Sequence, residues 1–235
     1  MQYKDTVLAR GQSTVLDQGL REYMLKVYNY MTMGLALTGA TAYFASTSPE
    51  LMATLFQSPL AWVVMLAPLG FVIALSFGIH KMSVSTAQIV FWVYAMVMGL
   101  SMSFIFLAFT GASIVKVFFI TSGTFAAMSL YGYTTKKDLT AMGSFLFMGL
   151  IGIILASVVN WFMASSALSF AISVLGVLIF TGLTAYDTQK IKHMFYYVEG
   201  DAVLYQKSAI MGALSLYLDF INLFYMLLRL LGDRR

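Results

Sequence analysis

SLYLDFINLF, residues 215–224, sets an aspartate, Asp219, in the middle of an apolar run from Ala209 to Leu231. An ionised carboxylate at the centre of a bilayer costs about 2.5–3.5 kcal/mol even on insertion scales, so a carboxylate there needs a reason. Spacings of three and four put Gly212, Ser215, Asp219 and Asn222 on one helical face. That small, polar stripe is one that lipid does not reward. The helix is therefore expected at the centre of its fold, with protein on most sides.

The rest of the chain supplies the surroundings. Sixty per cent of the 235 residues are hydrophobic and ten per cent charged, and the mean hydropathy is +0.83. Soluble globular domains carry about 25% charged residues, so the chain reads as an all-α polytopic membrane protein whose first partner is the lipid bilayer. There is no cysteine, which excludes disulfides and thiolate metal sites. The net charge of +4 is spread in small groups over loop positions. That pattern is a topology signal and not a nucleic-acid surface.

Residues 1–22 are polar and mixed in charge, with Lys4, Asp5, Arg10, Asp17, Arg21 and Glu22 and no apolar core. They read as a cytoplasmic tail and not as a cleavable signal, leaving residues 23–235 as a single transmembrane domain. Seven apolar stretches follow, each near the ~20 residues that cross a hydrocarbon core. They run from Tyr23 to Ser46, Leu60 to Ile79, Ala87 to Phe109, Ala112 to Tyr131, Met142 to Met163, Leu168 to Tyr186 and Ala209 to Leu231. Turn chemistry separates them at Ser48-Pro49-Glu50, Ser58-Pro59 and Thr134 to Asp138. The connections are mostly short, so consecutive helices should lie antiparallel and adjacent.

Lys4, Arg10, Arg21, Lys26, Lys81, Lys136, Lys137, Lys190, Lys192 and Lys207 fall on the N-terminal side and the even loops, against Lys116 alone on the odd loops. The positive-inside rule then predicts a cytoplasmic N-terminus. Seven full crossings would leave Arg234 and Arg235 outside, which the same rule mildly disfavours. A re-entrant last segment is the alternative.

Of the ten acidic residues, eight lie in tails or loops, leaving Asp187 and Asp219 as membrane-embedded candidates. Asp187 ends the sixth stretch, and a slightly longer helix would keep it at membrane depth. Two carboxylates at hydrogen-bond distance in a low dielectric cannot both stay ionised, so such a pair holds a proton and forms a pH switch. The plainer readings are that Asp219 bonds Asn222, Ser215 or a neighbouring helix and only fixes register, and that Asp187 only pairs with Lys190 at the interface. His80 and His193 read as solvated imidazoles at helix ends. The seventeen methionines are spread over nearly every span, which suits adaptable packing better than a metal path. No cofactor is expected.

Three motifs carry a resemblance: GLTAYDTQKIK at Gly182 to Lys192, SLYLDFINLF with LLRLLG at Leu227 to Gly232, and TTKKDL at Thr134 to Leu139. By these, and by seven spans in matching order over the whole chain, the sequence resembles the Bax inhibitor-1, or transmembrane Bax-inhibitor-motif, family. Its short polar N-terminus is similar to the bacterial branch, which implies the cytoplasmic (inner) membrane. The resemblance implies a seven-helix fold with the seventh helix central and wrapped by the other six. It also implies a pH-sensitive calcium leak governed by a di-aspartyl sensor, mapping onto Asp187 and Asp219. The family's arginine latch at the end of the second helix is missing, since no arginine occurs between Arg21 and Arg229. His80 and Lys81 stand in roughly that region as possible substitutes.

Three functions follow as expectations. The first is a calcium leak, with protons and calcium ions as partners. Its path would be lined by Asp187 and Asp219, as transient oxygen ligands, with Asn222, Ser215 and Tyr217 beside them. The second is a scaffold that regulates other membrane proteins without transport. The third, an intramembrane aspartyl protease, has two carboxylates to share a proton but lacks a Gly-rich approach to the second Asp and a following Pro-Ala-Leu, so no enzyme is expected.

Overall fold

The computed structural model describes residues 2–235, with side-chain surroundings from residue 16 onward. Among these residues the fold is all helical: α1 (Gln2–Ser46), α2 (Pro49–Phe56), α3 (Leu60–Gly78), α4 (Val84–Met102), α5 (Ile105–Ala108), α6 (Gly111–Thr134), α7 (Thr140–Met163), α8 (Ser166–Val198) and α9 (Ala202–Leu231). Six segments are long and apolar enough to cross a membrane: α3, α4 with α5, α6, α7, α8 and α9. Helix α1 is not among them. Its apolar half is interleaved with Asn29, Tyr30, Thr32, Thr38, Thr41 and Tyr43, which lowers its hydropathy.

Several boundaries differ from the sequence reading, each for a local reason. No break falls at residue 22; α1 runs through it, and Leu20 and Tyr23 are both buried. The polar start is thus the same helix as the first apolar stretch. The loop read at Ser48-Pro49-Glu50 begins a helix instead, because Pro49 suits the first helical position and Ser48 Oγ accepts from Leu51 N at 3.3 Å. The third stretch is interrupted at Ser103 and Phe104, between α4 and α5.

The largest difference is in the last hairpin. Helix α8 continues well past Tyr186 to Val198, and α9 starts at Ala202, earlier than Ala209. Gly200, at φ +93°, makes the tight turn between them; only glycine takes that backbone without strain. Asp201 then caps α9, its Oδ1 accepting from Val203 N and Leu204 N at 2.9 Å each.

Helix α9 is the most enclosed of the spanning helices, with 61% of its apolar window buried against 11% for α7 and 17% for α3. Its chief neighbours are α8, α1, α6 and α4, while α3 packs on α4 and α7 on α8. Four helices, and not six, therefore form its main sheath. The tightest approach is between α6 and α8, where a Cβ on Gly132 would collide with the backbone of Ala185. Close backbone contact of this kind is how helices gain dispersion energy where lipid offers no hydrophobic drive.

Candidate functional site

The long α8–α9 hairpin sets the site. On α8, Leu183, Tyr186, Asp187 and Lys190 recur at helical spacing, and on α9 Ser215, Leu218, Asp219 and Asn222 do the same. These two stripes, with Gly143, Ser144 and Phe147 of α7, line a cleft of about 600 Å³. Gly143 lets α7 close over it, because a Cβ there would run into the Tyr186 ring.

Inside the cleft are the two aspartates. Asp219 is 5% exposed and Asp187 is half-buried. Both side chains line this one cleft. An ionised carboxylate has no donor, so two carboxyls can bond to each other only while one of them carries a proton. Asp219 Oδ2 is buried and has no amide, hydroxyl or ammonium donor among the described residues. Lys190 is the cation in the lining of the cleft, and its ammonium lies 5.9 Å from the centre of the Tyr186 ring.

Ser215 and Asn222 share the cleft as expected, although Asn222 Nδ2 donates to its own helix, at Leu218 O, 2.8 Å away. Tyr217 does not share it. Two residues from Asp219, it points to the other side of α9, where its hydroxyl lies 2.6 Å from Thr38 Oγ1 and its ring packs against Tyr94 at 5.3 Å. Its role is to join α9 to α1 and α4. His80 and Lys81 are also remote. Both are exposed in the turn after α3, and the His80 carbonyl accepts from Lys207 Nζ at 3.3 Å. Neither lines the aspartate cleft; Lys190 is the cation found there. Its spacing from Asp187 in AYDTQK was the available signal.

The remaining polar residues of GLTAYDTQKIK fasten the hairpin to its neighbours. Gln189 is 5% exposed; its Oε1 accepts from Leu139 N at 2.9 Å and its Nε2 donates to Lys137 O at 2.8 Å. Lys192 Nζ donates to Tyr133 O at 2.8 Å. Thr188 Oγ1 lies 3.0 Å from Ser129 Oγ, and Ser129 in turn bonds Tyr28. The TTKKDL turn is thus held by α8 itself. Among the described residues no group of three or more His, Asp or Glu could hold a metal ion. The pair alone falls short of the six to eight oxygens that calcium takes in a resident site.

The family described as inhibitor of apoptosis-promoting Bax1 matches residues 20–235. The chain is 51% identical to a protein of Rickettsia prowazekii over 233 residues, covering 99% of this chain and 98% of that one. It is 49% identical over 219 residues to the Escherichia coli inner membrane protein YbhL, covering 92% and 94%. A membrane protein of Streptococcus pyogenes is 34% identical over 221 residues, covering 93% and 96%.

Proposed function

Because the chain belongs to the Bax inhibitor family of membrane proteins, we propose that it is a pH-sensitive calcium leak channel of a bacterial inner membrane, gated at Asp187 and Asp219. The observation that carries this reading is that both carboxyls line one cleft, with Asp219 buried in it. While the two share one proton, a hydrogen bond ties α8 and α9 together at that level. Loss of that proton removes the bond and leaves two like charges. At 4 Å and an effective dielectric of 20 their repulsion is about 4 kcal/mol. A few kcal/mol is enough to shift a two-state helix arrangement decisively. Calcium would pass as cargo, meeting carboxylate, amide and hydroxyl oxygens of Asp187, Asp219, Asn222 and Ser215.

In this reading α1 is the first of seven crossings, and the protein is multi-pass with its N-terminus in the cytoplasm. The support is the distribution of Lys and Arg, heavily on the N-terminal side.

The test is calcium flux into liposomes holding the purified protein, stepped from about pH 8 to about pH 6, since two coupled carboxyls respond to a change of pH as one unit. Flux that changes over the step in the wild type, and that loses its pH response in both Asp187→Asn and Asp219→Asn, is the expected result. The alternative is a regulator of other membrane proteins without transport. It draws on the far face of α9, where Phe91, Tyr94 and Tyr217 are fully buried. Absence of flux at every pH from folded protein would favour it. Cleavage of a transmembrane substrate, lost in Asp219→Asn, would instead mark a protease.

A further inference from the structure

The opposite end of the bundle holds a second polar cleft that the aspartate site does not use. The ends of α5, α7 and α9 and the start of α8 enclose about 730 Å³, and Arg229, Arg234 and Arg235 line this space together with Ser157, Asn160 and Trp161. No aspartate or glutamate side chain lines it. Three arginines lining one space, with no Asp or Glu side chain in that lining, favour an anion there.

One of the three has a local explanation. Arg229 lies in the last turn of α9, where the helix dipole favours a cation, and it donates to Ser169 Oγ. That bond uses one of the five N–H donors of a guanidinium. Arg234 and Arg235 lie beyond the helix end, so the dipole does not account for them. Their position is nonetheless built. Thr110 N donates to Asp233 O and Arg235 N to Ala108 O, both at 3.1 Å, and Asp233 N donates to Ser113 Oγ at 2.9 Å. Phe109 and Arg234 form a β-bridge. Backbone pairing thus pins the tail across the α5–α6 turn and holds the two arginines over the cleft.

The rim indicates where the anion comes from. Trp161 and Phe162 are 71% and 84% exposed, and Trp161 packs on Trp62 at 6.3 Å. Exposed tryptophans at helix ends mark headgroup depth in a bilayer. We propose that this cleft binds the phosphate of an anionic phospholipid, held by Arg229, Arg234 and Arg235. Guanidinium is suited to this because its planar fork matches phosphate oxygens. Anchoring a lipid here would tie the ends of α7, α8 and α9 together at the level opposite the aspartate cleft.

The test uses the full chain purified in detergent and probed by native mass spectrometry with phosphatidylglycerol and, separately, phosphatidylcholine. Both carry a phosphodiester, but only the first has a net negative headgroup. The wild type should retain phosphatidylglycerol preferentially, and Arg234→Gln with Arg235→Gln should reduce its retention about tenfold, as expected for losing one or more charge-assisted hydrogen bonds. Both positions are exposed, so unfolding temperature in detergent without lipid should stay unchanged, which separates lost binding from lost fold. Arg229→Lys keeps the charge but not the fork and should give an intermediate loss. Equal retention of the two lipids, or equal retention by wild type and the double variant, would overturn the proposal. Displacement of the lipid by millimolar inorganic phosphate would assign the cleft to the free ion and equally overturn the lipid assignment.

Discussion

Asp219 is buried, and Asp187 lines the same cleft. An Asn in place of one member can donate to the other carboxylate but carries no titrating proton. Asp219→Asn is therefore expected to stay folded while its calcium flux stops responding to pH, as liposome assays at two pH values would read. Thr38 makes a different kind of prediction. Its hydroxyl donates to Ala95 O at 2.8 Å and meets Tyr217 at 2.6 Å. Thr38→Val leaves both partners in place without it, and unfolding in detergent should show a loss of about 1 kcal/mol. Tyr217 itself illustrates what residue type could not reveal. An oxygen-bearing side chain two positions from an aspartate faces the other way on a helix, and only the neighbouring helices show what it touches.

At the level of helices, glycines separate close packing from free surface. Gly132 on α6 admits the Ala185 backbone of α8, whereas a Cβ at Gly123 on the same helix would meet nothing within 4 Å. Gly132→Ala should destabilise the protein by about 1–3 kcal/mol through forced separation of the helices. Gly123→Ala should be neutral or stabilising by up to about 1 kcal/mol, since alanine is the better helix former. Thermal unfolding of the pair in one detergent checks both. Gln189 joins α8 to the turn before α7 by two backbone bonds. Gln189→Ala leaves the buried Leu139 amide and the part-buried Lys137 carbonyl without that partner, so amide exchange at Leu139 is expected to rise without global unfolding.

For the molecule as a whole, the α8–α9 hairpin is the spine. It holds the aspartate cleft along its length and the arginine cleft at its far end, with α1, α4 and α6 packed on α9. Orientation is testable directly because the chain has no cysteine. In the seven-crossing arrangement, Lys136→Cys should react with an impermeant thiol reagent only from the cytoplasmic face, and Glu50→Cys only from the other. Labelling of both from one face would reject it.

Composition, the hydrophobic stretches and the lone carboxylates at Asp187 and Asp219 were enough to establish a helical membrane protein and to single out its candidate pair. Those are properties of the chain against a bilayer, where apolar length and the cost of a charge speak residue by residue. Helix ends were less legible. Gly200 and Asp201 sit in a polar run that reads as loop, yet α8 and α9 extend into it because a positive-φ glycine and one cap suffice to turn the chain. What tertiary structure alone decided is who meets whom. It put Asp187, Asp219 and Lys190 on one cleft and left His80 and Lys81 outside its lining. It also drew Arg229, Arg234 and Arg235 to one cleft. The reason is physical: burial and hydrogen bonding between helices depend on which faces pack together, and that choice is made by the whole bundle at once.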